Sequence, residues 1–152
     1  MPVFGGLNAS TLELVTSLAV TTGCAEGEHF FREGDDSHAM YVLLRGRVEI
    51  YKSWQSAQKH LRYMNPGDCF GEMALIDFGP RSASARASER SEALEIAPTL
   101  LQAVYGHDLE QFTLLQMNMA REISRRLRRV DELLFRAMMG GDMPETALGD
   151  LS

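Results

Sequence analysis

The chain has 152 residues, 45% of them hydrophobic and 24% charged, a balance that predicts one folded domain and excludes the disordered and low-complexity classes. Fifteen Lys and Arg against 21 Asp and Glu leave a net charge of −6, the wrong sign for a chain whose main partner is a nucleic-acid backbone. No apolar run is long enough to span a bilayer, the N-terminus lacks a signal-peptide pattern, and Cys24 and Cys69 have no C-x-x-C spacing, so a reducing cytoplasm is the expected location.

In chain order, Ser10 and Glu13 have capping-box spacing and predict a helix to about Val20, with Leu12, Val15, Leu18 and Ala19 as its apolar face. From there to Ala97 the text turns to short β-type runs punctuated by Gly, Asp and Pro, as in an all-β barrel or sandwich. "EHFFREGDD" reads as a strand entering a turn at Gly34. "AMYVLLRGRVEIYKS" reads as a hairpin folded at Arg45-Gly46. "KHLRYMNPGDCF" reads as a strand ending in the Pro66-Gly67-Asp68 turn, and "SASARAS" and "EALEIA" supply two more strands.

Beyond Pro98 the period becomes helical. "PTLLQAVYG" has proline at a first helical position and glycine as a stop, and a second helix should run from Asp108 to about Met138. Ala120, Ile123, Leu127, Val130, Leu134 and Ala137 draw a 3-4 stripe along it, as narrow as a coiled-coil seam, and a homodimer through that stripe is the favoured reading. The arginines at 121, 125, 126, 128, 129 and 136 read as a solvated face, with Glu122 and Arg126 paired at i, i+4. His29, His38, His60 and His107 share no metal-ligand spacing, and Met117, Met119, Met138 and Met139 read as packing, so no metal is expected. The expected organisation is a single domain over 1–152: a helical segment 1–20, a β region 21–97, helices 98–138 and a polar tail 139–152.

The chemistry concentrates in "GEMALIDFGPRSAS", residues 71–84. A glycine opening a short helix lets an anion approach the unpaired N–H groups of its first turn, and Arg81 adds a planar fork of donors suited to two oxygens of one phosphate. Beside a phosphate, Glu72 needs another partner, and a ribose 2′-OH is the natural one. With no Walker lysine, this is not a nucleoside-triphosphate site.

"FGEMALIDFGPRSASARA" resembles the phosphate-binding cassette of the cyclic nucleotide-binding domain family, of the catabolite activator and protein kinase A regulatory subunit type. The upstream "GEHFFREGDDSHAMYVLLRGRVEIY" is similar to the family's opening strands, with Gly27, Gly34 and Gly46 at the expected turns. The resemblance implies a mainly β fold with flanking helices: a cyclic-nucleotide-binding β-roll (a double-stranded β-helix, jelly-roll-like) with its cassette at 70–84, an N-terminal helix and a long C-terminal helix. It implies that Glu72 binds the ribose 2′-OH and Arg81 the exocyclic phosphate oxygens. Backbone N–H groups of Gly71, Glu72, Ser82 and Ala83 would complete the cage, with hydroxyls from Ser82 and Ser84. Met73, Ala74, Leu75 and Val42 would wall the sugar and purine. Leu133, Leu134 and Phe135 are candidates for contacting or capping the base; Val130 and Asp131 align with the base-contacting positions of the catabolite activator but carry no matching hydroxyls.

The implied ligand is cyclic AMP in preference, with cyclic GMP as the alternative, since Ser82 follows Arg81 in binders of both. The implied role is a stand-alone, non-catalytic receptor whose C-terminal helix closes over the ligand to signal to a downstream protein. No helix-turn-helix fits in the residues after Met138, which argues against a DNA-binding domain. The rival readings are an interaction protein that uses the roll as a scaffold without nucleotide, and a regulatory piece of a larger channel, kinase or transcription factor.

Overall fold

The structure, a computed structural model, describes residues 2–140; the predicted tail lies almost wholly outside them. A single 3-10 turn (Pro2–Phe4) leads into α1 (Ala9–Leu18). The cap of α1 is Asn8, whose side chain accepts from the Thr11 backbone N–H. Ser10, the predicted cap, is inside the helix and its Oγ lies 3.0 Å from His107 Nε2. The helix buries Thr11 and Val15 and leaves Leu12 and Leu18 of the predicted apolar face exposed.

Eight strands follow: β1 (Val20–Cys24), β2 (His29–Phe31), β3 (Met40–Arg45), β4 (Val48–Trp54), β5 (Ala57–Met64), β6 (Cys69–Phe70), β7 (Ser84–Ala87) and β8 (Ser91–Ile96). They form two antiparallel four-stranded sheets, ordered β1-β8-β3-β6 and β2-β7-β4-β5. The predicted hairpin at Arg45-Gly46 is therefore no hairpin: β3 and β4 lie in different sheets, and the Gly46 turn carries the chain across. Gly46 has φ +93°, and a Cβ there would meet the Ser91 hydroxyl and, at 2.5 Å, the Arg90 carbonyl. The real hairpin joins β4 to β5 through Gln55 and Ser56, both with positive φ, a turn with no glycine to announce it.

The two faces of β3 divide the core. Tyr41 and Leu43 point between the sheets, where they pack with Phe31, Ile50, Met64 and Phe70. Met40 and Val42 point the other way, toward Leu75, Leu100, Val104, Leu115 and Met119 of the helices. Those helices are α2 (Glu72–Asp77), α3 (Pro98–His107) and α4 (Leu109–Met138). α3 runs through Gly106, which did not stop it, and Asp108 caps α4 by accepting from the Glu110 and Gln111 N–H groups. α4 buries Leu115, Asn118, Met119 and Leu133, while Ala120, Leu127, Val130, Leu134 and Ala137 of the predicted stripe are exposed and Ile123 is half-buried. No described helix is long and apolar enough to cross a membrane.

Candidate functional site

β6 delivers the chain to Gly71, which has φ +79° and turns it into α2. The loop after α2 brings it back through Gly79 and Pro80 to Arg81, where Gly34 N–H bonds to Arg81 O and Arg81 N–H to Asp35 O. A cavity of about 180 Å³ lies between these segments, lined by Gly71, Glu72, Met73, Ala74, Arg81, Ser82 and Ala83. The lining also includes Phe31, Ile50, Arg62 and Phe70 from the sheets and Asp77, Gly79 and Pro80 from the loop.

Arg81 is only 3% exposed. Its Nη1 donates to Gly71 O (3.0 Å), and its Nη2 to Ala39 O (2.6 Å) and Ser37 Oγ (2.9 Å). The guanidinium lies 4.0 Å above the Phe31 ring, a cation–π contact. These bonds fix the plane of the fork and leave its buried Nε without a partner. Burial pulls the Arg81 pKa below its ordinary value, and the fields of Tyr41, Asp35, Glu95 and Glu72 oppose that pull. Lys52 Nζ donates to Ser82 O (2.7 Å), pinning the returning loop.

Glu72 is 4% exposed and pairs with Arg126 of α4 through its Oε1. Arg126 also donates to Cys69 O (2.7 Å), so one side chain ties the long helix to both β6 and α2. This overturns the expected Glu122–Arg126 pair: Glu122 pairs with Arg125, because Arg126 faces the roll. The Cys69 thiol, buried beside Glu72, is pushed up to about 12.

The remaining proposed residues stand elsewhere. Ser84 is buried on β7, and its Oγ accepts from the Glu33 N–H (2.8 Å). Leu75 and Val42 belong to the core beneath the helices, on the opposite side of β3 from the cavity. Val130, Asp131, Leu134 and Phe135 are exposed, and Leu133 is buried. None of these eight lines the cavity. Sequence reading missed Phe31, Arg62 and Arg126. The signal for Arg62 was a charge at an inward position of β5, across from Ile50. Arg126 carried no local signal, since its partner is distant in sequence. Among the described residues no group of three or more His, Cys, Asp or Glu could hold a metal.

A family model described as "Cyclic nucleotide-binding domain" matches residues 23–108. A relative named "Cyclic AMP receptor protein" in Thermus thermophilus is 34% identical over 131 residues, which are 86% of this chain and 59% of the relative. A "cGMP-dependent protein kinase" of Plasmodium berghei is 30% identical over 105 residues, 69% of this chain and 12% of the kinase. Among solved structures, the catabolite activator protein of Thermus thermophilus superposes with a TM-score of 0.79 at 31% identity, over 91% of this chain and 63% of that one. The chain thus spans less than two thirds of the length of these relatives. Two antiparallel sheets with flanking helices, a glycine-opened α2 facing a returning arginine, and a family match across that region lead to one conclusion: the chain belongs to the cyclic nucleotide-binding domain family.

Proposed function

We propose that the chain is a cytoplasmic, non-catalytic receptor module for a purine 3′,5′-cyclic nucleotide, held in the cavity between α2 and the Arg81–Ala83 segment. The observation that carries this reading is Arg81: a buried guanidinium that lines the cavity, its plane fixed by three acceptors, with one buried donor left unpaired. A buried donor without a partner is costly, and a phosphate oxygen repays that cost with a charge-assisted bond. One arginine and backbone donors suit a single phosphodiester charge. Glu72 has one oxygen engaged by Arg126, and its other oxygen is available to accept from a ribose 2′-OH. The relatives' names speak of cyclic AMP and cyclic GMP, consistent with this ligand class.

Signalling follows from the same contacts. A sugar that engages Glu72 acts on the acceptor that holds Arg126, so the ligand biases how α4 sits on the roll. The readout is the exposed apolar stripe of α4, through Leu127, Val130 and Leu134, for which we propose a second copy of this chain as partner. A downstream protein would read that helical surface.

Calorimetric titration with cyclic AMP and cyclic GMP tests the reading. Saturable binding near micromolar, roughly −8 kcal/mol, that Arg81→Ala weakens would support it. One observation favours the rival scaffold reading: Arg81 and Glu72 already have partners within the fold. In that case Arg81→Ala lowers stability and no nucleotide binds the wild type.

A further inference from the structure

The two flanks of the exposed α4 stripe are unlike. With Leu127 and Leu134 one heptad apart and Val130 between them, Met119, Arg126 and Leu133 recur every seven residues along one flank, and Ser124, Asp131 and Met138 along the other. The first flank lies against the roll: Met119 and Leu133 are buried, and Arg126 reaches Glu72 and the Cys69 carbonyl. The second flank is open, with Ser124, Asp131 and Met138 all exposed. Six arginines share this helix, yet Asp131 has no ion-pair or hydrogen-bond partner among the described residues.

The two flanks complement each other. When two such helices pair in the same direction, with equal stripe residues facing across the axis, each flank of one meets the opposite flank of the other, five residues further along. Arg126 then stands beside Asp131 of the partner subunit, and Leu133 beside Met138 of the partner subunit. Opposite charges meet, and an exposed methionine finds an apolar neighbour. An antiparallel pair joins like flanks instead, which sets roll against roll and leaves Asp131 without a cation. Arg126 is able to take a second carboxylate, since Glu72 and Cys69 engage only Nη1 and Nη2 of a fork with five N–H donors.

We propose that α4 pairs in parallel with α4 of a second copy and that Asp131 of the partner subunit joins Arg126, so each copy supplies a carboxylate to the other's Glu72–Arg126 pair. This rests on the reading of the α4 stripe as a surface for a second copy. Two carboxylates then share one guanidinium. The partner's Asp131 loosens the hold of Arg126 on Glu72 and frees Glu72 to accept from a ribose 2′-OH, and by linkage a bound nucleotide tightens the dimer.

The test is sedimentation equilibrium of the full chain, first without nucleotide. Wild type should dimerise, and Asp131→Asn should weaken the dimer about 2- to 30-fold, since two pairs are lost per dimer. Asp131→Arg should weaken it further. Glu132→Gln removes the next carboxylate, which pairs with Arg136 on the outer face, and should leave the dimer unchanged. Leu127→Cys and Leu134→Cys should each form a disulfide with its own copy, as only a parallel pair allows at both positions. A monomeric wild type would overturn the second-copy reading and the clasp with it. A dimer indifferent to both Asp131 variants, weakened as much by Glu132→Gln, or unable to cross-link at both cysteines would overturn the clasp alone. Cyclic AMP and cyclic GMP are then added: bound nucleotide should tighten the wild-type dimer more than that of Asp131→Asn, and an unchanged wild-type dimer would overturn the shared arginine. If wild type binds neither nucleotide, the receptor reading fails, and the nucleotide-free comparison still decides the clasp.

Discussion

Glu72 on α2 and Arg126 on α4, 54 residues apart in sequence, form a buried ion pair that ties the cassette to the long helix. Their side chains are 5% and 13% exposed, so the pair is far less screened than a surface salt bridge. Removing one partner strands a buried charge. Arg126→Met alone and Glu72→Met alone should each cost about 3–5 kcal/mol, and the double variant much less than their sum. Urea midpoints of the four proteins check this, and additive losses would show that the two side chains act independently.

Gly71 is where the backbone must leave room for the arginine. A Cβ at this position would lie 2.7 Å from Arg81 Nη1 and 3.2 Å from the Phe31 ring, at a φ of +79°. Gly71→Ala should therefore displace Arg81, lowering both the thermal midpoint and nucleotide affinity. Gly67 is a matched control: its φ is +94°, and nothing lies within 4 Å of an added Cβ. Gly67→Ala should cost about 1–2 kcal/mol of stability and leave affinity unchanged.

The sheet face opposite the core predicts an acid limb. Burial, then the fields of Arg32 and Arg86, lower the His29 pKa from its ordinary 6.5, with Asp35 opposing. Its Nε2 sits 2.6 Å from the Tyr51 hydroxyl. The unfolded chain therefore binds this proton first, so the contribution of neutral His29 is complete above pH 6.5 and is lost as pH falls through the lowered value. Burial pushes the Glu49 carboxyl up, but bonds from Arg86 and His60 outweigh it, and its net shift is below the ordinary 4.5. Its contribution is complete above pH 4.5 and lost below. Thermal midpoints across pH 7 to 3 should fall in both windows, His29→Gln flattening the upper one and Glu49→Gln the lower.

The exposed stripe of α4 predicts self-association. Leu127 and Leu134 are 58% and 57% exposed, whereas Leu133 is 8% exposed. Leu127→Glu and Leu134→Glu should shift sedimentation toward monomer with stability little changed, while Leu133→Glu should lower stability. A monomeric wild type would remove the proposed partner.

The cassette was legible because its residues are local: Gly71, Glu72, Arg81, Ser82 and Ala83 lie within one short stretch, and the fold closes them around one cavity. Leu75 and Val42 were misplaced because apolar character does not say which face of an element is inward; on β3, the strand period puts Tyr41 and Val42 on opposite sides. The Arg45-Gly46 turn carried a hairpin signal, but whether two strands pair depends on the rest of the sheet. The real hairpin turn at Gln55-Ser56 adopts positive φ without glycine. Arg126 could not be distinguished from its five arginine neighbours, because only the packing of α4 aims it at Glu72.

The most direct test of the central claim pairs a change in the ligand with a change in the protein: cyclic nucleotide and its 2′-deoxy analogue, titrated into wild type and Glu72→Ala. If Glu72 holds the ribose hydroxyl in this cavity, the 2′-deoxy analogue should bind wild type more weakly by about 1.5–3 kcal/mol, the range for a hydrogen bond to a charged group. Glu72→Ala should not distinguish the two ligands. A 2′-deoxy penalty that is equal in both proteins, or no binding by the wild type, would contradict the account.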